Sequence, residues 1–142
     1  MQIHIPEDLG SDLRLLPAGT VEAALEKIIY GTSQKGNPKV TFKYIATSEM
    51  EGVEEGEPPT IGETILETFS LMPNALFRLN DVYKAATQER LPQGDFTKEQ
   101  FLDMLDEALI GHTFRLMLDQ QLPSDGSSDK LRTVVIDRIL ID

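Results

Sequence analysis

The first third of the chain alternates between apolar and polar residues with a period of two, which is typical of half-buried β-strands. The alternation predicts a first strand over residues 21–30. A helix is the alternative there, because Val-Glu-Ala-Ala-Leu-Glu-Lys consists of good helix formers. Residues 39–47 are rich in β-branched and aromatic side chains and predict a second strand. Because the Gly-, Asn- and Pro-rich residues 31–38 lie between them, we expect a long antiparallel hairpin with an eight-residue loop.

Alternation along the second strand assigns its side chains to two faces. One face carries Val40, Phe42, Tyr44 and Ala46, and the other carries Lys39, Thr41, Lys43 and Ile45. Phe42 and Tyr44 therefore cannot share a face with Lys39 and Lys43. The sequence leaves open whether the two rings fill the core or stack on the bases of a ligand.

An acidic segment and a third predicted strand follow the hairpin. Residues 49–60 contain five Glu within nine positions, and because like charges repel each other we expect a solvated loop. Residues 61–71 predict the third strand. Its residues Ile65, Glu67, Phe69 and Leu71 share one face.

The region at residues 73–110 predicts two helices. Apolar residues recur at helical spacing from Leu76 onward and predict the first helix. Asn74 or Ser70 is expected to cap its N-terminus, because short polar side chains accept hydrogen bonds from free backbone N–H groups. The helix is expected to end near residues 90–92, where a proline follows.

The start and the end of the second helix are marked more clearly. Thr97 and Gln100 have the spacing of a capping box, and Phe96 and Phe101 occupy the two positions of a hydrophobic staple. Gly111 is expected to end the helix in the left-handed conformation that glycine tolerates.

Residues 112–119 and 131–141 alternate again and predict a fourth and a fifth strand. The resulting order is β-β-β-α-α-β-β. It predicts a fold that is mainly β with α, an OB-like five-stranded antiparallel barrel with two helices between strands 3 and 4.

The length of 142 residues is that of one ordinary domain. We expect a single OB-like domain over residues 1–142. Within it, residues 1–16 form an N-terminal arm, residues 49–60 form the acidic loop, and residues 73–110 form a helical insert.

Composition excludes several kinds of site. Cys is absent, which excludes disulfides, thiolate zinc sites and Cys nucleophiles, and only two His are present. The sequence contains neither a phosphate-binding P-loop nor a nucleophile elbow. We therefore expect no enzyme activity, no metal and no cofactor. No apolar run approaches the roughly 18 residues that span a bilayer, and the start lacks a signal peptide, so a cytoplasmic protein without a membrane partner is expected.

The net charge of −11 argues against a protein that coats duplex DNA through bulk positive charge. The charge is uneven, however. Residues 1–48 carry five basic and five acidic residues, whereas residues 49–142 carry eight basic and nineteen acidic residues. A local basic surface is therefore expected in the first third of the chain.

The hairpin holds the candidate binding residues. Basic groups that track phosphates and rings that stack on bases are the usual means of binding single-stranded nucleic acid. A surface lysine on a strand is more often only a solvated side chain. The candidates are Tyr30, Lys35, Lys39 and Lys43 of the hairpin, with Arg115 and Arg132 from later strands.

Several short motifs resemble a family of small bacteriophage replication-region proteins. The resemblance rests on Leu-Pro-Ala-Gly-Thr at residues 16–20 and Gly-Thr-Ser-Gln-Lys-Gly-Asn-Pro-Lys-Val at residues 31–40. Weaker matches are Ala-Leu-Phe-Arg-Leu at residues 75–79 and Leu-Ile-Gly-His-Thr-Phe at residues 109–114. Members of this family resemble OB-fold proteins that bind single-stranded DNA.

The resemblance implies single-stranded-DNA binding without strong sequence preference, in phage replication or recombination. It implies that Lys35 and Lys39 approach the DNA backbone and that Lys43 follows them. The expected partners are single-stranded DNA and replication or recombination proteins, in the cytoplasm of the host cell. A homodimer and a preference for RNA are left open.

The alternative is an acidic protein-binding module with no nucleic acid ligand, such as a virion component or an inhibitor of a host protein. The net charge of −11 favours it. Convergence of Lys35, Lys39, Lys43 and Arg115 on one groove would favour DNA binding, and scattered basic residues would favour the alternative.

Overall fold

The computed structural model describes residues 13–53, 56–123, 126 and 129–142. Most of the predicted N-terminal arm and part of the acidic loop lie outside the described residues. The described chain contains five strands and two helices. Their order is β1 (Gly19–Thr32), β2 (Pro38–Ala46), β3 (Thr64–Ser70), α1 (Leu76–Thr87), α2 (Lys98–Leu109), β4 (Thr113–Gln121) and β5 (Arg132–Leu140). This order confirms the predicted fold class and the strand interpretation of β1.

The five strands form one antiparallel sheet in the order β3-β2-β1-β4-β5. This order and the position of the helices are consistent with an OB-like sheet. The sheet is not closed into the predicted barrel by hydrogen bonds, because no ladder joins its edge strands β3 and β5. The central strand β1 pairs with β4 along its first half and with β2 along its second half. Within the ladder of β1 with β2, an irregularity between Leu25 and Lys27 shifts the register by one residue.

Several element boundaries differ from the predictions by one to three residues. The loop between β1 and β2 is residues 33–37, shorter than the expected eight residues, because the ladder continues to Thr32 opposite Pro38. β3 begins at Thr64, and Ile61, which was expected in the strand, is 60% exposed in a turn. Ile61 therefore lies outside the sheet, whereas the backbones of Gly62 and Glu63 still form hydrogen bonds of 2.9 Å with Ala46 at the end of β2.

The first helix differs from its prediction at both ends. Its N-cap is Ala75, with no side-chain hydrogen bond, so neither Asn74 nor Ser70 caps the helix. The Ser70 hydroxyl instead accepts a hydrogen bond from the backbone N–H of Met72 at 3.2 Å. The helix ends at Thr87 because Gln88 adopts a left-handed conformation with φ of 65°.

The second helix begins as predicted. The Thr97 hydroxyl accepts from the backbone N–H of Gln100 at 3.1 Å, and the backbone N–H of Thr97 donates to Gln100 Oε1 at 3.0 Å. The rings of Phe96 and Phe101 lie 6.4 Å apart between centroids, as a hydrophobic staple requires. Gly111 follows the helix with φ of +91°, which confirms the predicted glycine stop. Neither described helix is long and apolar enough to cross a membrane.

The core lies between the inner face of the sheet and the two helices. α2 packs against β1, and α1 packs against β3. The alternation of β2 is confirmed, because Val40, Phe42, Tyr44 and Ala46 are buried whereas Lys39, Thr41, Lys43 and Ile45 are half-buried on the other face.

The segment before β1 belongs partly to the core. Leu16 is fully buried, and its backbone N–H donates to the Thr133 hydroxyl at 2.9 Å. The Gln120 side-chain amide donates to the Leu16 carbonyl oxygen at 2.9 Å. Leu16 therefore packs back on the sheet, whereas Leu15 is exposed.

Both ends of the acidic loop contact the rest of the fold. Glu51 forms an isolated bridge with Thr20, and Met50 and Thr60 are buried. The Glu49 carboxylate accepts from the backbone N–H of Thr60 at 2.8 Å. This hydrogen bond lowers the pKa of the Glu49 carboxyl. The expected solvation therefore does not extend to the ends of the loop, and Glu54 and Glu55 lie outside the described residues.

A buried polar cluster joins the two edge strands. Glu67 of β3 forms an ion pair with Arg138 of β5, and Arg138 Nε also donates to Glu67 Oε1 at 3.0 Å. The Tyr44 hydroxyl of β2 donates to the same carboxylate oxygen at 2.8 Å. The Arg138 guanidinium carbon lies 5.4 Å from the centroid of the Phe69 ring. We call Tyr44, Glu67 and Arg138 the closure cluster, because they span the edges that no ladder joins.

Burial controls the ionisation of the closure cluster. Burial raises the pKa of the Glu67 carboxyl, while the positive charge of Arg138 opposes this shift. Burial also raises the pKa of the Tyr44 phenol well above its usual value, and the charge of Glu67 acts in the same direction. A Glu67 carboxylate without its arginine would be a buried, uncompensated charge.

We expect the Arg138→Met substitution to lower the free energy of unfolding by about 3–5 kcal/mol, because it leaves the Glu67 carboxylate without its partner. Urea denaturation measures the loss. The matched control is Arg115→Met, which removes an exposed pair with Glu22 and should change stability by about 0.5 kcal/mol or less. Equal losses in the two variants would contradict a special role for the closure cluster.

The raised pKa of Tyr44 predicts a loss of stability at alkaline pH. Above the ordinary tyrosine value of 10.0, the unfolded chain releases the phenolic proton while folded Tyr44 retains it, so stability falls as the pH rises. Between about pH 9 and about pH 11 the wild type should therefore lose more stability than Tyr44→Phe. Urea denaturation across this range tests the difference, and the other tyrosines are common to both proteins. Parallel pH profiles would show that Tyr44 titrates normally.

Candidate nucleic-acid interface

The outer sides of β2 and β3 form one continuous surface. The ladder sets Lys39 opposite Ser70, Thr41 opposite Thr68, Lys43 opposite Leu66, and Ile45 opposite Thr64. We call these eight residues the β2–β3 outer face. Both strands lie entirely within the described residues, and the face they present contains two lysines and no carboxylate. In a chain with a net charge of −11, this makes the face a local basic surface.

The two lysines of this face have different surroundings. Lys39 lies opposite Gly31 of β1, and a Cβ placed on that glycine would be 3.7 Å from Lys39 Cε. The Lys39 side chain therefore passes over β1 where no neighbouring side chain blocks it. Lys43 lies opposite Lys27 and forms an ion pair with Glu26 at 3.5 Å between Nζ and Oε1.

The register irregularity explains how Glu26 reaches Lys43. The ladder pairs Leu25 with Tyr44 and Lys27 with Lys43, so Glu26 is the extra residue of a bulge. Two lysines directly opposite each other repel, and the adjacent carboxylate offsets this repulsion. The ion pair is exposed and contributes little to stability.

Lys35 lies at the tip of the hairpin, in the loop of residues 33–37. The loop is tight, because the backbone N–H of Ser33 donates to the Asn37 carbonyl oxygen at 2.8 Å and Gly36 N–H donates to the Ser33 carbonyl oxygen at 2.8 Å. Gly36 has φ of +82°, which favours glycine. The exposed Lys35 thus extends the row of lysines beyond the start of β2.

Tyr30 is not part of this lysine surface. It pairs with Val40, whose side chain is buried, so Tyr30 lies on the core side of the sheet. Its ring is partly buried, and Lys98 Nζ of α2 lies 5.1 Å from the ring centroid. The expectation of a ring beside Lys39 and Lys43 is therefore wrong, because the bulge in β1 sets Tyr30 on the inner face.

Phe42 and Tyr44 resolve the alternative that the sequence left open. Both are fully buried, and their ring centroids lie 6.1 Å apart in an edge-to-face arrangement. Phe42 also packs on Phe69 at 4.7 Å. They fill the core and cannot stack on the bases of a ligand in this fold. The β2–β3 outer face therefore has no aromatic ring.

The two candidate arginines lie elsewhere on the sheet. Arg115 of β4 pairs with Glu22 of β1 in the ladder, and its Nη2 lies 3.5 Å from Glu22 Oε1. Arg115 lies opposite Glu22, and Lys43 lies opposite Lys27, which is several residues further along β1. At about 3.3 Å per residue, this places Arg115 roughly 15 Å from Lys43 in the direction of the strand. Arg132 begins β5, opposite Gln121. The structure thus brings together Lys35, Lys39 and Lys43, and it separates Tyr30, Arg115 and Arg132 from them.

Two features of this region were not predicted from the sequence. Lys27 shares the outer side of the hairpin with Lys43, and Glu26 directly precedes Lys27 as the extra residue of the bulge. Two consecutive charged residues at 26–27 interrupt the alternation of β1, which is a signal for a bulge. The groove between β3 and β5 was also missed, because it depends on strands far apart in the chain.

Comparison of the chain with protein-family models and with curated proteins finds no match. The resemblance to a phage family therefore stays a prediction. Among the residues that the structure describes, no group of three or more His, Asp or Glu side chains could hold a metal ion.

The core position of Phe42 leads to a stability prediction. We expect Phe42→Ala to lower the free energy of unfolding by about 3–5 kcal/mol, because it leaves a cavity between Tyr44 and Phe69. Thr41→Ala, on the outer face of the same strand, is the control and should lower stability by about 1 kcal/mol or less, because it removes only a cross-strand contact with Thr68. Thermal or urea denaturation measures both. A Phe42→Ala protein of normal stability that no longer binds DNA would assign the ring to a ligand instead.

Proposed function

We propose that this protein binds single-stranded DNA without strong sequence preference, through the β2–β3 outer face and the loop of residues 33–37. The observation that carries the proposal is that the eight residues of this face include Lys39 and Lys43 but no Asp or Glu, in a strongly acidic chain. The Glu26 carboxylate of β1 pairs with Lys43 through an exposed ion pair, which a phosphate can replace. OB folds bind oligonucleotides on the face of strands 2 and 3 and on the loop between strands 1 and 2. The resemblance to phage proteins adds replication or recombination in the host cytoplasm as the setting.

The residues of the face suggest how a strand would be held. Lysine ammonium groups neutralise phosphates, and Lys35, Lys39 and Lys43 follow one another from the hairpin tip along β2. Thr41 and Thr68 have their hydroxyl oxygens 3.2 Å apart and offer further hydrogen bonds. Because the face has no aromatic ring, stacking adds little. Binding should therefore be tolerant of sequence and steeply dependent on salt.

We expect the Lys35→Gln/Lys39→Gln/Lys43→Gln variant to bind oligothymidine roughly tenfold or more weakly at low salt. The slope of log affinity against log salt should fall by about two, because each phosphate contact on a single strand contributes about 0.7. Fluorescence anisotropy of a labelled oligothymidine of about 30 nucleotides, at several salt concentrations, measures both quantities. Oligouridine in parallel tests the choice between DNA and RNA.

The matched control is Lys84→Gln/Arg90→Gln/Arg115→Gln, which removes the same charge from exposed positions outside the face. It should keep most of the wild-type affinity and slope. Equal effects of the two triple variants would mean that only the overall charge matters and would sink the assignment of the face. Absence of binding by the wild type at low salt would sink the proposed function itself.

A protein-binding module without a nucleic acid ligand is the second candidate function. The ion pair of Arg115 with Glu22 favours it, because Arg115 does not converge with the lysines and is already neutralised. The net charge of −11 favours a basic partner for such a module. Binding of the wild type to oligothymidine decides between the two candidates.

A further inference from the structure

A groove with a volume of about 930 Å³ lies between the two edge strands. Residues 64–68 of β3 and residues 132–136 of β5 line it from opposite sides, and residues 13–15 lie along it. The groove exists because no ladder joins β3 to β5, and the closure cluster draws the strands together only on the inner side. It is separate from the lysines of the proposed DNA-binding face, none of which line it.

The groove is positively charged although the chain is acidic. Its lining contains the basic residues Arg14, Arg78, Lys130 and Arg132. Glu67 is the one acidic residue among the described residues that line it, and the closure cluster already neutralises this carboxylate through Arg138. Arg14 is paired with Glu57 and Glu63, so the positive charge that a ligand in the groove meets is that of Arg78 and Arg132.

The guanidinium groups of Arg78 and Arg132 are available to a ligand. Both residues are exposed, and neither forms an ion pair with another described residue, although the positive charge of Arg78 also lowers the pKa of the Glu67 carboxyl. Arg14 differs, because it contacts Glu57 and Glu63 and donates hydrogen bonds to two proline carbonyl oxygens. Arg78 lies in the first turn of α1, and Arg132 is the first residue of β5. The two arginines therefore approach the groove from separate elements. Guanidinium groups bind carboxylates in paired, directional hydrogen bonds.

Aliphatic side chains share the groove with these arginines. Leu15 is 44% exposed, Leu131 is 49% exposed and Ile136 is 51% exposed. The lining residues that the structure describes include no Phe, Tyr or Trp. Nucleic acid bases bind single-strand sites largely by stacking on rings, which this lining does not offer. Exposed leucine and isoleucine side chains instead fit the apolar side chains of a peptide.

The backbone of the groove favours an extended ligand. β3 and β5 are the edges of the sheet, and each pairs with one neighbour only. An edge strand presents N–H and C=O groups to which an extended peptide can add hydrogen bonds. A strand-like peptide also points alternate side chains to opposite sides. One set can then contact the aliphatic residues while the other contacts the arginines.

We propose that the groove between β3 and β5 binds an extended acidic segment of a partner protein. Carboxylates of the segment pair with Arg78 and Arg132, and its alternate apolar side chains pack on Leu131 and Ile136. This inference does not rest on the proposed DNA binding, because its charged groups Arg78 and Arg132 are not those of the DNA-binding face, although Thr64, Leu66 and Thr68 of β3 border both surfaces. The protein would thus have a second surface, which selects a protein partner by charge and by extended conformation.

Fluorescence anisotropy with labelled model peptides tests the proposal on the full chain. The probe is a peptide of alternating Asp and Leu residues as long as β5, and the comparison probe replaces every Asp with Lys. We expect saturable binding of the acidic peptide and none of the basic one. Arg78→Gln/Arg132→Gln should weaken binding about tenfold or more, because charge-assisted hydrogen bonds are lost. Ile136→Ser, tested alone, should also weaken it.

The matched control is Lys84→Gln/Arg90→Gln, which removes equal charge from exposed positions outside the groove. It should bind the peptide as the wild type does, and urea denaturation should show that all variants remain folded. Equal weakening by the control, or no saturable binding by the wild type, would overturn the proposal. Loss of oligothymidine binding in Arg78→Gln/Arg132→Gln, without peptide binding, would assign the groove to DNA. The lysine triple variant tests the DNA-binding face separately, because none of its three lysines lines the groove. A failure of one proposal can therefore be distinguished from a failure of the other.

Discussion

The buried ion pair between Glu67 and Arg138 is the contact on which the shape of the sheet depends. A five-stranded antiparallel sheet without a closing ladder has two free edges, and the closure cluster holds these edges near each other through side chains. A buried ion pair is weak evidence for net stability, because desolvation offsets much of the attraction. Its effect is geometric. The strands approach at the cluster and leave a groove beside it, while the outer sides of β2 and β3 remain a smooth, paired surface.

Much of the fold could be predicted because its determinants are local. The alternation of β2, the capping box at Thr97 and the glycine at position 111 each act over a few residues, and each is confirmed. The start of β3 and the two ends of α1 were not predicted correctly from the sequence. Ile61 continues the apolar–polar alternation but does not pair with a neighbouring strand. Gln88 ends α1 in a left-handed conformation, which is rarely predictable for a residue other than glycine or asparagine. Strand ends depend on partners elsewhere in the chain, which a local pattern does not contain.

The candidate site was predicted only where its residues are placed by local patterns. Lys39 and Lys43 share a face because of strand alternation, and Lys35 follows from the turn composition of the loop. Tyr30 was misplaced because a bulge at Glu26 reverses the faces of the second half of β1. Arg115 and Arg132 could not be located, since their positions depend on the order in which distant strands join the sheet. Glu67 was assigned to the correct face, but only its partners explain why a carboxylate is tolerated there.

The central strand belongs to two ladders that close very different lengths of chain. Its second half pairs with β2 across the short hairpin loop, whereas Glu22 in its first half meets Arg115, which is 93 residues away. The entropy of loop closure grows with the logarithm of the loop length, so the distant pairing costs roughly 2 kcal/mol more than the local one. We therefore expect the two halves of β1 to pair at different stages of folding. The half beside β2 can pair early because its partner is close in the chain. The half beside β4 can pair only after α1 and α2 have placed β4 next to β1.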